Sequence, residues 1–228
     1  EDVAALADLA QRHALPVVCY RPRYINLPSD HDMHVGYEVG AFVGDADVIL
    51  TVDCDVPWIP ALHEVNPDAK IIQLATDPLY SSYPVRGFPS DLAIASDAAA
   101  ALSALADAMA EGEKKAAGRI GERRKRIAEI RAGAAEGLAT SLDGAGTGSP
   151  INTNWLARCI ADVKGEDDIL VSESQLPIGH LSLTRPGTFF ATSPAAGLGW
   201  GVGCALGVKL GARERNVFSV VGDGGYMF

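Results

Sequence analysis

An aspartate set among glycines follows an apolar run late in the sequence. Val217 to Val221 (VFSVV) predict a strand buried on both faces, and Gly222-Asp223-Gly224-Gly225 comes directly after it. Ligands of open parallel α/β sheets sit at this carboxyl end of the strands. The glycines allow close approach, their N–H groups can hold an anion, and the carboxylate suits Mg²⁺. The alternative is a tight turn, for which Asp-Gly is common.

A second cluster of glycines lies upstream, in a segment predicted to be helical. Each glycine inside a helix costs roughly 1 kcal/mol relative to alanine. We therefore expect a closely packed neighbour, or a ligand over the helix N-terminus, to require them. The glycines are Gly197, Gly199, Gly201, Gly203 and Gly207.

Composition narrows the class of protein. The chain has 228 residues, of which 48% are hydrophobic and 21% charged, which is enough for one large or two ordinary globular domains. Its net charge of −10 argues against nucleic-acid binding. The four cysteines have no C-x-x-C spacing, so neither a zinc site nor a disulfide framework is expected. No apolar stretch predicts a membrane span and no secretory leader is visible, so a cytoplasmic enzyme is the default expectation.

Helices and strands alternate along the chain, which predicts an α/β fold with two Rossmann-like parallel-sheet domains joined by a helical linker. The expected domains are 1–112, a charged linker at 113–149 and an incomplete second domain at 150–228. A helix is predicted over 35–46. Between Lys114 and Arg131 lie eight of the 19 basic residues. They indicate either a phosphate-binding patch or a solvated helix bridging the domains, and the interleaved acids and thin isoleucine stripe favour the bridge.

Together these segments resemble a known family. The sequence TSPAAGLGWGVGCALGVKLGARERNVFSVVGDGG, residues 192–225, is similar to the diphosphate-binding domain of thiamine-diphosphate enzymes, in the branch of acetolactate synthase and benzoylformate decarboxylase. Residues 1–110 resemble the central domain of the same enzymes. The resemblance implies a homodimeric or homotetrameric lyase or carboligase that depends on thiamine diphosphate and Mg²⁺. It would decarboxylate 2-keto acids through an enamine, with protonation or carboligation to follow.

The resemblance also implies roles for individual residues. Asp223 would bind Mg²⁺, and Leu198 would be the apolar wedge beneath the folded cofactor. The carbonyl of Ala196 would accept a hydrogen bond from the 4′-nitrogen of the pyrimidine, and His180 is a candidate proton donor facing substrate. The implied cofactor-binding residues are Gln175, Ala196, Gly197, Leu198, Gly222, Asp223, Gly224 and Gly225. Leu176 departs from the polar residue usual beside the diphosphate.

Parts of that family's site have no counterpart in the sequence. The glutamate that activates the pyrimidine and the second metal ligand are expected outside these 228 residues, so both ends are interpreted as cut from a longer protein. A non-catalytic scaffold or regulatory module derived from the family is the alternative function. For Leu198, the alternative is an ordinary core leucine.

Further polar residues are candidates for binding a metal or a nucleotide. His31 and His34, three residues apart beside acids, could contribute to a metal site, although a polar loop is favoured. Asp77 lies where dinucleotide-binding folds place a ribose-binding acid. Asp53 and Asp55 would repel a pyrophosphate at the end of their strand, so FAD binding by the central domain is not expected.

Overall fold

The computed structural model describes residues 2–192 and 197–228, which form two three-stranded parallel sheets with helices around them. This confirms the predicted α/β fold. The helices are α1 (Asp2–His13), α2 (Gly40–Val43), α3 (Ala98–Ala110), α4 (Glu113–Thr140), α5 (Thr153–Val163), α6 (Trp200–Gly211) and α7 (Asp223–Tyr226). The strands are β1 (Val48–Val52), β2 (Lys70–Ala75), β3 (Leu92–Ala95), β4 (Ile169–Ser172), β5 (Phe189–Ala191) and β6 (Val217–Val220). None of the described helices combines the length and apolarity needed to cross a bilayer.

The first sheet has the strand order β1-β2-β3 and is covered on both faces. Leu74 of β2 packs with Leu9 of α1 and Leu102 of α3. Ile71 of the same strand packs with Trp58 in a separate cluster. Two apolar clusters on one central strand are expected when successive side chains point to opposite faces.

The second sheet has the order β5-β4-β6, with β4 buried along its whole length. Leu170 of β4 packs with Ala157 of α5 and Phe189 of β5. The prediction that the VFSVV strand is buried on both faces is wrong for the described sheet. There β6 pairs only with β4 and its apolar side chains are half-buried.

The basic segment forms the long helix α4, whose apolar stripe packs against α1 and the loop that follows it. Ile127 is buried in a cluster with Ala10 and Met33. Arg123 donates hydrogen bonds to the carbonyls of His13 and Ala14, where α1 ends. Lysine and arginine side chains near the end of a helix stabilise its unpaired carbonyls. Several bases of this helix therefore serve internal contacts.

The helix predicted over 35–46 is mostly irregular, and only α2 (Gly40–Val43) forms. Gly36 explains where the pattern fails, because its φ of +116° lies outside the helical region. Upstream, residues 29–33 form turns and bends, and Val17 makes an isolated parallel bridge with His34.

The loop that follows α1 crosses to the second sheet. Ile25 is buried in the second core beside Leu170 and Leu183. Main-chain hydrogen bonds reinforce the crossing: Ala191 N–H donates to the carbonyl of Arg23 at 2.8 Å. The loop therefore contributes a side chain to the core of the second sheet.

Candidate functional site

The carboxyl ends of β4 and β6 bring two polar segments together. Ser172 pairs with Val220 in the parallel register, so the residues that follow each strand emerge side by side. The N–H of Glu173 donates to the carbonyl of Val220 at 2.9 Å, which extends the ladder by one bond. Glu173 and the turn that contains Asp223 consequently share one edge of the second sheet.

Asp223 begins α7 with its side chain exposed. Its Oδ1 accepts a hydrogen bond from Gly224 N–H at 2.8 Å. The first N–H groups of any helix have no intrahelical acceptor, and here the Asp223 side chain serves as the acceptor for Gly224. A Cβ at Gly224 would meet no described atom within 4 Å, which leaves the backbone open to a ligand. Donors, a hard oxygen and bare backbone suit a metal–diphosphate group.

Leu198 lies in a turn in which the next residue, Gly199, can only be glycine. Gly199 adopts φ +89°, and a Cβ there would lie 2.7 Å from Phe228 Cβ. The Leu198 side chain is 67% exposed, so it is not the core leucine of the alternative interpretation. We call Gly197–Gly199 the Gly-Leu-Gly turn. The predicted hydrogen-bond acceptor Ala196 lies outside the described residues.

Glu173, to which the sequence analysis assigned no role, binds the start of α6. Its Oε1 accepts from Gly199 N–H at 2.7 Å and its Oε2 from Gly201 N–H at 2.6 Å. A Cβ at Gly201 would lie 2.9 Å from Glu173 Cβ, and one at Gly225 would lie 2.7 Å from Glu173 Oε1. A negative carboxylate at a helix N-terminus is stabilised by the helix dipole. The signal in the sequence was an acid directly after a buried strand.

The five glycines around the start of α6 thus fall into two groups. A closely packed neighbour is confirmed at Gly199 and Gly201. At Gly197, Gly203 and Gly207 an added Cβ would meet no described atom within 4 Å, so no described neighbour requires glycine there.

The loop after Glu173 places the other predicted residues differently. Gln175 is exposed near the carboxyl edge, whereas Leu176 packs against the second core. His180 Nε2 lies 3.1 Å from Ser141 Oγ, just after the end of α4. Partial burial, with a contribution from Arg158, lowers the pKa of His180. The structure therefore places His180 beside the linker, where its contact with Ser141 is a structural one.

At the carboxyl edge of the first sheet, Arg86 connects β2 to the residues that follow β1. It donates to Gln73 Oε1 at 2.7 Å and to the carbonyl of Asp55 at 3.0 Å, and its guanidinium lies 4.6 Å from the centre of the Tyr80 ring. Burial raises the pKa of the nearby Asp53 carboxyl. Asp77, the candidate ribose ligand, instead accepts two hydrogen bonds from Ser81.

The two histidines of the early loop hold the backbone. Nδ1 of His31 accepts from Met33 N–H, and Nδ1 of His34 accepts from Gly36 N–H. Burial lowers the pKa of His34 to about 4. Within residues 2–192 and 197–228, no three potential ligands cluster as a metal site would require. A metal at Asp223 would therefore need ligands from a bound phosphate or from outside the described residues.

Comparison with known proteins agrees with this geometry. Residues 173–228 match the family described as the thiamine pyrophosphate enzyme C-terminal TPP binding domain. The matched segment runs from Glu173 through the Gly-Leu-Gly turn to Asp223 and Phe228. It is therefore the segment that builds the carboxyl edge of the second sheet.

Solved structures share the fold of the whole chain. One is a provisionally assigned thiamin diphosphate-dependent enzyme from Mycobacterium smegmatis, with a TM-score of 0.68 and 22% identity over 100% of this chain and 43% of that one. Another is a thiamine diphosphate-dependent 4-hydroxybenzoylformate decarboxylase from Rhodococcus jostii RHA1, with a TM-score of 0.63 and 18% identity over 99% of this chain and 41% of that one. The chain thus spans about two fifths of their length. No curated protein matches its sequence.

Proposed function

We propose that the chain is part of an enzyme of the thiamine-diphosphate-dependent class, a Mg²⁺-dependent lyase or carboligase acting on 2-keto acids. The match of residues 173–228 to the TPP-binding domain carries the proposal, because it covers the turn that places the Asp223 carboxylate at the start of α7. The R. jostii structure, described as a decarboxylase, supports the reaction class through its shared fold.

The residues at the carboxyl edge fit thiamine diphosphate. Asp223 would bind Mg²⁺, and the open backbone of Gly224 would face the diphosphate, whereas its neighbour Gly225 is buried against Glu173. The exposed side chain of Leu198 would support the folded cofactor from below. When bound, the cofactor supplies the electron sink for breaking the bond to the carboxylate, while the protein binds and orients it.

The experiment is a calorimetric titration of the full-length protein with thiamine diphosphate and Mg²⁺. Asp223→Asn should weaken metal and cofactor binding together by at least ~10-fold, since even outer-shell partners of a metal contribute that much. Asp107→Asn removes the same charge from an exposed position on α3 and should bind as the wild type does. Release of CO₂ from a panel of 2-keto acids then identifies the substrate class.

Two results would contradict the proposal. Absence of cofactor binding by the full-length protein would favour a non-catalytic module of the same fold. Equal binding by the wild type and Asp223→Asn would move the metal elsewhere. We also propose that the enzyme is a homodimer or homotetramer, which sedimentation of the purified protein tests.

A further inference from the structure

Glu173 connects three segments at the carboxyl edge of the second sheet. Its main chain continues the β4–β6 ladder through the carbonyl of Val220. Its two carboxylate oxygens each accept one N–H at the start of α6, from Gly199 and Gly201. Oε1 also lies against Gly225 of α7, where no Cβ could fit.

This arrangement depends on both the length and the charge of the side chain. A carboxylate has two acceptor oxygens and can satisfy both amides, whereas an amide side chain offers one oxygen and must turn its NH₂ toward the other N–H. An aspartate keeps the charge, but its side chain is one methylene shorter and does not reach both amide N–H groups from the same backbone position. Hydrogen bonds to a charged acceptor are the stronger kind in proteins.

We propose that Glu173 is a positioning residue that fixes the Gly-Leu-Gly turn, and with it Leu198, against the cofactor. The peptide between Leu198 and Gly199 is fixed through the Gly199 N–H, so the exposed leucine is oriented through its backbone. The proposal rests on the proposed function, because Leu198 supports a cofactor only if one binds.

The Glu173 carboxylate also affects where an anion can bind. It occupies the positive end of α6, so a diphosphate is disfavoured there, and the proposed diphosphate position remains beside Asp223. The cofactor would therefore make two separate contacts, one with Leu198 and one beside Asp223. Inorganic pyrophosphate would use only the second of these, while thiamine diphosphate would use both.

The first measurement is hydrogen exchange of the cofactor-free full-length protein, read in peptides that cover residues 197–203. Glu173→Gln and Glu173→Asp should each speed exchange of the Gly199 and Gly201 amides by ~10-fold or more. Glu214→Gln, the same change at an exposed site before β6, should leave these amides unaffected. Thermal unfolding of each variant shows that the fold persists. Unchanged exchange in both Glu173 variants would overturn the proposal.

The second measurement compares two ligands in the presence of Mg²⁺. The ratio of the Kd for thiamine diphosphate to the Kd for pyrophosphate should rise ~10-fold in both Glu173 variants, because only the larger ligand contacts Leu198. A purely structural or purely electrostatic role would change both constants by one factor and leave the ratio fixed, which would overturn the proposal. So would wild-type behaviour of Glu173→Asp.

Failure of the proposed function gives a different pattern. A wild-type protein that binds neither ligand refutes the function and the positioning role together. Faster exchange in the Glu173 variants would then still show that the carboxylate holds the turn.

Discussion

Gly201 and Gly203 lie two residues apart in α6, yet alanine at these positions should affect stability in opposite directions. A Cβ at Gly201 would lie 2.9 Å from Glu173 Cβ, closer than Cβ atoms approach in folded proteins, and 3.1 Å from Val221 Cγ2, which is also tight. A Cβ at Gly203 would meet no described atom within 4 Å. Both substitutions gain about 1 kcal/mol of helix propensity. Only the first adds an overpacking cost of about 1–3 kcal/mol.

Because the propensity gain is common to both variants, their difference isolates the contact with Glu173. We expect Gly203→Ala to raise the free energy of unfolding. The free energy of unfolding of Gly201→Ala should be about 1–3 kcal/mol lower than that of Gly203→Ala. Denaturant unfolding followed by fluorescence and by circular dichroism measures both values. If Gly201→Ala is as stable as Gly203→Ala, the start of α6 does not pack on Glu173 as described.

Three further predictions concern separate parts of the chain. Leu198→Ala should leave thermal unfolding nearly unchanged because the side chain is 67% exposed. It should also lower kcat by up to ~10²-fold, and an unchanged kcat at saturating cofactor would place the cofactor elsewhere. Burial lowers the pKa of His34 from 6.5 to about 4, so between these pH values the unfolded chain binds more protons than the folded one. The free energy of unfolding should therefore fall by about 2–3 kcal/mol as the pH drops through that window. His34→Gln should flatten this pH dependence, and a profile identical to that of the wild type would contradict the assignment. Asp53 and Asp55 follow β1 at the carboxyl edge of the first sheet, where they would repel a pyrophosphate. The purified full-length protein should therefore show no flavin absorbance near ~450 nm, and a stoichiometric yellow chromophore would show that FAD binds.

The parts of the fold that the sequence predicted are those with local causes. Four of the six residues of strand β2 are apolar, and α4 shows charged residues around a narrow isoleucine stripe. The helix expected over 35–46 failed because Gly36 takes a positive φ that periodicity does not reveal. The burial of β6 depends on how many strands and helices pack around it, and the residues of the strand itself do not reveal that number.

The candidate site divides in the same way. Asp223 could be singled out because a carboxylate between glycines after a strand is a local pattern. The role of Glu173 could not, because its hydrogen bonds reach residues 26 and 28 positions away. That partnership depends on the parallel pairing of β4 with β6, which joins residues 48 positions apart, such as Ile169 and Val217.

The crossing of the early loop has a consequence for synthesis on the ribosome. Ile25 belongs to the core built around Leu170, about 145 residues later in the chain. At translation rates of ~5–20 residues per second, Ile25 is made roughly 7–30 s before its partner exists. During that interval its apolar surface remains available to chaperones or to other nascent chains. Replacing Ile25 with a polar residue would therefore change the yield of soluble protein through the growing chain as well as through the finished core.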